Sequence, residues 1–467
     1  MSTIKNQMQT ELKSKIILNK ARNHAFEYID QIDNMDVFPS DENLQRLDHF
    51  DEVLRDNGCA ADELLDTLHT YGSPATVAQT GGRYYGFVNG NVIPASLGVK
   101  WLTDIWDQVG GLYVSSPINS KLESVCERWL KNILRLPEST VAGFVSGTSM
   151  ANLSALAAAR FQILKNLGWD INKKGLNGAP KIRVIAHEQV HASIKRTLII
   201  LGFGSDNVEK VPADNQGRVV VGALPKLDKS CLVLLQAGNV NTGAFDNFDA
   251  VCDLANKANA WVHIDGAFGL WAAATESMSH LTKGMEKASS WAVDGHKTLN
   301  TPYDSGIVLC KHPDALVSAI HATGDYLIHS EQKDPYLYGP EMSKRCRAIE
   351  LWAVMKYLGK NGIDKMITGF NERAKQLAKG LKKIGFTIHN EVVFNQVLIS
   401  YKEDTATNNI LDYVQQSGRM WCGGTIWNNR SAIRLSICSW MTDENDIIET
   451  INIFEKAVVS LTKKTTV

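Results

Sequence analysis

The stretch SSWAVDGHKT, residues 289–298, is the most informative part of the chain because it places Lys297 directly after a histidine, just past an apolar, strand-like run. A lysine in that position can act as a covalent catalyst once its charge is suppressed locally. Taken alone, such a lysine is more often a solvated surface residue. The surrounding segments therefore have to decide between these two interpretations.

A second apolar run lies upstream, in AWVHIDGAFGLWAAA, residues 260–274. This pattern predicts a strand that ends at Asp265 and is followed by Gly266 and Gly269. An open parallel sheet binds its ligands outside the carboxyl ends of its strands, so we expect Asp265 to face a ligand. The alternative is an aspartate that only caps the following helix.

Two further segments place polar residues after a strand. GFVSGTSMANLSALAAAR, residues 143–160, predicts a strand, a polar turn and a helix, and N–H groups and hydroxyls at a helix start can bind phosphate. A plain helix cap has the same pattern. RVIAHEQVHASIKRT, residues 183–197, brings His187 and His191 to the same sheet edge, where a histidine can also be an ordinary polar residue.

Together these segments resemble the group II pyridoxal-phosphate-dependent amino acid decarboxylases, the family of glutamate and aromatic amino acid decarboxylases. The resemblance rests on GTSMANL, HEQVHASI, HIDGAFG and DGHK, and it extends over nearly the whole chain. It implies pyridoxal 5'-phosphate as the cofactor. It assigns the covalent link with the cofactor to Lys297, the contact with the pyridine nitrogen to Asp265 and the stacking on the pyridine ring to His191. The remaining cofactor contacts that it implies are Ala267 under the ring, and His296, Gly147, Thr148 and Ser149 around the phosphate.

The resemblance also implies an α/β architecture, the type I aminotransferase-like fold, with a mostly parallel sheet in the large domain. We expect a helical segment over residues 1–75 that packs on a partner subunit, a large cofactor-binding domain over 76–339 and a small α+β domain over 340–467. The apolar runs predict strands near residues 142–145, 183–186, 231–236, 261–264, 291–293 and 306–310. A homodimer with the active site at its interface follows from the same resemblance.

The segment HATGDYLIHSEQKDPYLYGPE, residues 321–341, is rich in Gly, Pro and charge and predicts a mobile loop. Its YLIH resembles the YLKH of the family, which implies that Tyr326 is the loop tyrosine that protonates the substrate carbon after carbon dioxide leaves. Relatives with phenylalanine there form an aldehyde instead. Tyr336 and Tyr338 compete for this role, and an aromatic residue can also serve only to anchor the loop.

The substrate is the part that the sequence defines least. GGRYYGFVNGN, residues 81–91, resembles the segment that lines the side-chain pocket in the family, and Arg434 resembles an arginine of its small domain. The candidate substrate-binding residues are Tyr84, Tyr85, Phe87, Asn89 and Arg434. The aromatic ones suit an aromatic or apolar substrate or a subunit interface, and Arg434 suits a carboxylate or a structural role. QAGNVNTGAFD, residues 236–246, departs from the family's GTT turn and leaves Asn241 and Thr242 as guesses for the substrate carboxylate.

Composition limits the other classes of function. The 49 Lys and Arg residues balance 50 Asp and Glu residues, so we expect no field that attracts nucleic acid. No apolar stretch suits a membrane span, and the first twenty residues lack the apolar core of a secretory signal. The eight cysteines have no paired spacing, which favours reduced thiols in the cytoplasm and no metal site.

These features predict a decarboxylase that converts a small L-amino acid to its amine and carbon dioxide. Transamination, aldehyde-forming oxidative decarboxylation and carbon–carbon cleavage are alternative reactions on the same cofactor. A cofactor-binding subunit without turnover is the alternative from a different class.

Overall fold

The computed structural model describes residues 3–320 and 331–464. Their strands form a seven-stranded sheet and a four-stranded sheet. The larger sheet contains β1 (Val141–Val145), β2 (Arg183–His187), β3 (Val208–Val211), β4 (Cys231–Gln236), β5 (Trp261–Asp265), β6 (Ser290–Asp294) and β7 (Gly306–Cys310). The smaller one contains β8 (Thr387–Ile388), β9 (Gln396–Ser400), β10 (Gly423–Trp427) and β11 (Arg430–Ser436).

The larger sheet has the order β1-β7-β6-β5-β4-β2-β3 and is mostly parallel. Only β7 runs against its neighbours β1 and β6. Every residue of β4, β5 and β6 is buried, because helices cover both faces of a parallel sheet. All six predicted strands of this sheet are confirmed. The edge strand β3 was missed because its sequence, VEKV, alternates polar and apolar residues over only four positions.

Helices surround both sheets. They are α1 (Ile4–Ser14), α2 (Ile16–Gln31), α3 (Asp41–Gln45), α4 (Ala61–Thr67), α5 (Pro94–Trp106), α6 (Pro117–Ile133), α7 (Thr148–Asn166), α8 (Ile171–Lys174), α9 (Ala192–Ile200), α10 (Phe248–Lys257), α11 (Pro313–Ile320), α12 (Arg347–Lys383), α13 (Asp404–Gln416) and α14 (Glu444–Lys464). The long helix α12 is interrupted at Gly359, whose φ of 60° is left-handed. Among the described residues, no helix combines the length and the apolar composition that crossing a bilayer requires.

The smaller sheet is antiparallel throughout, in the order β10-β11-β9-β8. Its core joins apolar residues of β9 and β11 with those of α12, α13 and α14. The mixed α/β architecture with a large, mostly parallel sheet and a second, smaller sheet is the one that the sequence predicts. By contrast, α1, α2 and α4 contribute no buried residue of their own.

Candidate active site

The candidate site lies where the parallel strands end. Asp265 is the last residue of β5 and Asp294 is the last residue of β6, the strand beside it. Lys297 follows three residues after Asp294, in the turn that leads toward β7. Because parallel strands present their carboxyl ends on one edge, two carboxylates and a lysine meet there.

Asp294 connects the lysine to the rest of this edge. Its side chain is 2% exposed, with Lys297 Nζ at 3.3 Å and His296 Nε2 at 3.5 Å from Oδ2. The other oxygen, Oδ1, accepts the backbone N–H of Thr148 at 2.7 Å. Burial alone would raise the pKa of Asp294, but the positive charge of Lys297, the neighbouring His296 and the hydrogen bonds hold it at about 2. Sequence reasoning missed Asp294, although it lies within the DGHK box.

The turn before α7 has free capacity for an anion. Gly147 precedes the helix and provides no side-chain cap, and the buried hydroxyl of Thr148 has no hydrogen-bond partner in the described part of the chain. Ser149, in the first turn, is exposed. A Cβ added at Gly147 would lie 3.3 Å from His296 Cε1, so the small residue keeps this space open. An orphaned hydroxyl at a helix N-terminus fits a phosphate group.

Asp265 is held from two sides. Its Oδ1 accepts the N–H of Ala267 at 3.2 Å, and its Oδ2 accepts Nδ2 of Asn152 at 3.2 Å. Burial raises the pKa of Asp265 above its ordinary value, and the neighbouring His191 and Lys297 and these hydrogen bonds offset this increase only in part. Asn152 is fully buried in α7 and is a second contact that sequence reasoning missed. The separation of 113 residues between the two partners explains why no local pattern revealed it.

His191 stands at the start of α9, where its Nδ1 accepts the N–H of Ser193 at 3.2 Å. The side chain is solvent-exposed. Desolvation by the surrounding protein lowers the pKa of His191; Lys297 and Arg434 add to this effect, whereas Asp265 opposes it. His191 and Asp265 thus influence each other, and Lys297 acts on both. His187 is instead buried at the end of β2, with its Nε2 3.8 Å from Asp246, and belongs to the core.

His296 is held by the segment that follows the lysine. Its Nδ1 accepts the N–H of Ser305 at 3.0 Å. The ring also stacks on Tyr303, with centroids 4.3 Å apart and planes inclined by 25°. The histidine is therefore locked beside Asp294 and close to the start of α7.

An aromatic stack lies among the predicted substrate residues. The ring of Trp421 lies 5.3 Å from Tyr84 on one side and 5.3 Å from Phe87 on the other. Gly86 makes this possible, because a Cβ there would come within 2.3 Å of the Trp421 ring. Trp421 was not among the predicted residues, since it lies more than 330 positions from Tyr84 in the chain.

Tyr85 does not join this stack. It is 0% exposed and its hydroxyl lies 2.9 Å from Thr450 Oγ1 in α14. The prediction that Tyr85 contacts the substrate is therefore corrected: alternation along an extended chain turns its side chain into the small-sheet core. Asn89 donates to Gln79 Oε1 at 2.9 Å, and Arg434 donates to the carbonyl of Val240 at 3.2 Å.

The two guesses for the substrate carboxylate make contacts within the protein. Thr242 is 1% exposed and donates its hydroxyl hydrogen to the carbonyl of Gln216 at 2.6 Å. Asn241 accepts the hydroxyl of Thr425 on β10 at 3.1 Å. Both side chains therefore tie the turn after β4 to neighbouring segments.

Tyr326 lies outside the described residues. Its two competitors are placed in the segment that follows: Tyr336 is 3% exposed, and Tyr338 has Lys333 Nζ 4.5 Å from its ring centroid. Burial raises the pKa of the Tyr338 phenol. Both tyrosines thus pack against the large domain.

Comparison with known proteins shows which family the chain resembles. Residues 72–402 match the model of the "Pyridoxal-dependent decarboxylase conserved domain". An aromatic-L-amino-acid decarboxylase of Bacillus atrophaeus is 33% identical over 252 residues, which are 51% of this chain and 50% of that protein. The enzyme of the same name from Drosophila lebanonensis is 27% identical over 73% of this chain and 89% of its own length.

A solved structure shares the fold. The crystal structure of Oryza sativa TDC with PLP and tryptamine superposes with a TM-score of 0.89 at 20% identity, over 97% of this chain and 98% of that one. This likeness confirms the predicted aminotransferase-like fold class. The family match, which covers well over half of the chain, establishes pyridoxal phosphate as the cofactor and the carboxy-lyases as the enzyme class. The chain belongs to the group II pyridoxal-phosphate-dependent decarboxylase family.

Proposed function

We propose that this protein decarboxylates a small L-amino acid to the corresponding amine and carbon dioxide, with Lys297 as the residue that binds pyridoxal phosphate covalently. The observation that carries this proposal is the arrangement at the sheet edge. Lys297, a buried carboxylate at Asp265 and an anion-binding helix start at Thr148 lie together, as one small phosphorylated, nitrogen-containing ring requires.

Bound pyridoxal phosphate supplies an electron sink for the bond that breaks at the substrate's α-carbon. Lys297 would hold the cofactor covalently through its amine. Asp265, in its ionised form, would keep a proton on the pyridine nitrogen. The residues that hold the phosphate are Gly147, Thr148, Ser149 and His296.

His191 and Ala267 complete the proposed binding of the ring. The neutral imidazole of His191 and the small side chain of Ala267 would hold the ring between them. His191 can also orient a proton near the carboxylate that is lost. A lowered pKa supports this role, since a neutral ring stacks without placing a second positive charge beside Lys297.

The substrate is proposed to enter past the aromatic stack of Tyr84, Phe87 and Trp421. Phe87 is 60% exposed and thus has apolar surface to offer a substrate side chain. Arg434 provides the positive charge for the substrate carboxylate, and its influence on His191 supports a position close to the cofactor. Tyr326 is proposed as the proton donor that makes an amine, rather than an aldehyde, the product.

The enzyme is proposed to act as a homodimer. A band of exposed apolar residues runs along α5 and beyond it, where Leu102, Ile105 and Val114 are 53%, 64% and 59% exposed. Apolar surface of this extent usually marks a protein interface. Ile105→Glu should therefore shift the mass measured by light scattering from dimer to monomer. Leu254→Glu, at an exposed apolar position of α10, is the matched control and should leave the dimer intact.

A cytoplasmic location is proposed from the thiols. All eight cysteines are unpaired, and seven of them are buried. Buried free thiols suit a reducing compartment. Fractionation of cells that express the tagged chain tests the location.

Product analysis tests the proposed reaction. The purified protein, supplied with pyridoxal phosphate, is incubated with the twenty common L-amino acids, ornithine and diaminobutyrate, and the products are identified by mass spectrometry. An amine from one of these substrates supports the proposal and defines the substrate class. A keto acid indicates transamination and an aldehyde indicates oxidative chemistry. Either of these as the main product, or the absence of any product, contradicts the proposal.

A further inference from the structure

A chain of buried polar side chains runs from Asp265 into the larger sheet. The donor and acceptor atoms lie at distances of 3.0 Å (Trp261 Nε1 to Ser290 Oγ), 2.9 Å (Ser290 Oγ to His263 Nδ1), 2.9 Å (His263 Nε2 to Asn152 Oδ1) and 3.2 Å (Asn152 Nδ2 to Asp265 Oδ2). Ser290, His263 and Asn152 are 0% exposed. The chain is thus shielded from solvent along its whole length.

The orientation of the Asn152 amide defines the direction of the hydrogen bonds: its Nδ2 donates to Asp265 Oδ2, and its Oδ1, which can only accept, faces His263 Nε2. His263 therefore carries its hydrogen on Nε2, and the Nδ1 of the neutral ring accepts the hydroxyl hydrogen of Ser290. The oxygen of Ser290 in turn accepts the indole N–H of Trp261. Every hydrogen bond of the chain is thus oriented toward Asp265.

This direction has an electrostatic consequence. Burial by itself favours the neutral acid at Asp265, because a charged group loses its hydration in the interior. Hydrogen bonds that all point toward the carboxylate favour the charged form, and successive bonds polarise one another. Burial also lowers the pKa of His263 to about 3, so the imidazole is neutral and adds no net charge.

The opposite direction fits the contacts less well. It would begin with a neutral Asp265 that donates to Asn152 and would end with His263 Nδ1 donating to Ser290 Oγ. That direction would also require the amide oxygen of Asn152 to face Asp265 and its NH2 group to face His263, the reverse of the orientation in the structure.

We propose that Asn152, His263 and Ser290 are positioning residues that hold Asp265 ionised and thereby keep the pyridine nitrogen of bound pyridoxal phosphate protonated. None of them touches the cofactor in this scheme, since they act through Asp265. This inference rests on the proposed function, in which Asp265 pairs with that nitrogen.

The test uses the holoenzyme reconstituted with pyridoxal phosphate that carries ¹⁵N in its ring, because the NMR shift of this nitrogen reports its protonation. The wild type should give the protonated shift. His263→Leu should move the shift toward the neutral form and raise the Kd for pyridoxal phosphate about tenfold, as expected when hydrogen bonding to a charged group is weakened. His263→Gln keeps an N–H for Asn152 and an acceptor for Ser290, and it should restore the protonated shift.

A purely structural role would lower the thermal midpoint of His263→Leu but leave the ¹⁵N shift protonated, and that result would overturn the inference. A neutral nitrogen in the wild type would overturn it as well. Ser290→Ala removes a single oxygen and covers the case in which His263→Leu does not fold; an unchanged shift in this variant likewise contradicts the chain. Borohydride reduction distinguishes a failure of the proposed function from a failure of this inference. A wild type that carries no cofactor on Lys297 overturns the proposed function. A labelled Lys297 together with a neutral ring nitrogen overturns only this inference.

Discussion

The floor and the rim of the candidate site are built differently. The floor consists of Asp265, Asp294 and Lys297, and its carboxylates are buried and bonded on several sides. The proposed rim consists of Tyr84, Phe87 and Trp421, in which the rings of Tyr84 and Phe87 stack on Trp421, with Phe87 60% exposed. We infer that the floor performs chemistry common to the family, whereas the rim distinguishes among substrates. Variants of the two regions should therefore fail in different ways.

The largest effect is expected at the lysine of the floor. Lys297→Ala removes the amine that binds the cofactor covalently, so turnover should fall about 10,000-fold or more, which corresponds to about 5 kcal/mol. The fold should persist, because the side chain is only partly buried and its ion-pair partner retains the Thr148 hydrogen bond. Steady-state kinetics and circular dichroism check both expectations. Lys283→Ala, at a lysine with 78% side-chain exposure, is the control, and equal losses in both variants would contradict the role of Lys297.

The next effect concerns the carboxylate of the floor. Asp265→Asn keeps the size of the side chain but removes its charge, so the pyridine nitrogen should lose its proton and kcat should fall about 100-fold or more, that is, by about 3 kcal/mol. The KM for the amino acid should change little, since the substrate side chain binds elsewhere. Asp249→Asn, at a surface carboxylate of α10 paired with Lys287, is the matched variant. A kcat within threefold of the wild type would remove Asp265 from the proposed mechanism.

Variants of the rim should change KM rather than kcat. Trp421→Ala removes the central ring of the stack, and we expect KM to rise about tenfold while kcat stays within about threefold, because mainly uniform substrate binding is lost. The exposed aromatic Tyr357 of α12, 67% exposed, offers Tyr357→Ala as the control. If Trp421→Ala lowers kcat as strongly as the floor variants do, the division between floor and rim is wrong.

Local sequence patterns predict some residues of the candidate site and miss others. The strands could be predicted together with four polar residues at or after their ends, Thr148, His191, Asp265 and Lys297. Apolar runs and the polar residues that follow them are local patterns. Trp421 and Asn152 could not be predicted, because their partners are distant in the chain. Tyr84 and Phe87 lie more than 330 residues from Trp421, and Asp265 lies 113 residues from Asn152. Tyr85 was wrongly assigned to the substrate because two neighbouring tyrosines look alike in sequence, while alternation sends one of them into the core. Lys297 could be predicted because its sequence neighbours carry the family pattern, whereas its ion pair with Asp294 is visible only in the folded structure.

The smallest effect is a pH dependence of the floor's stability. The folded-state pKa of Asp294, about 2, lies below the ordinary value of 3.8, so the folded apoenzyme binds fewer protons than the unfolded chain between these values. The stability that this carboxylate contributes is thus complete above pH 5 and is lost as the pH falls toward 2. Between pH 5 and 2.5 the difference in unfolding free energy between the wild type and Asp294→Asn should shrink by about 1.5 kcal/mol. Urea unfolding measures this difference, and a constant value would mean that Asp294 is not stabilised in its charged form by Lys297 and its hydrogen bonds.

The claim that the floor is a pyridoxal phosphate site centred on Lys297 is tested most directly by borohydride reduction of the reconstituted holoenzyme, followed by peptide mass spectrometry. The account predicts one pyridoxyl phosphate group, attached to the peptide that contains Lys297, and none on that peptide when the cofactor is omitted. Attachment to a different lysine, or a protein that binds the cofactor without any covalent label, would contradict it.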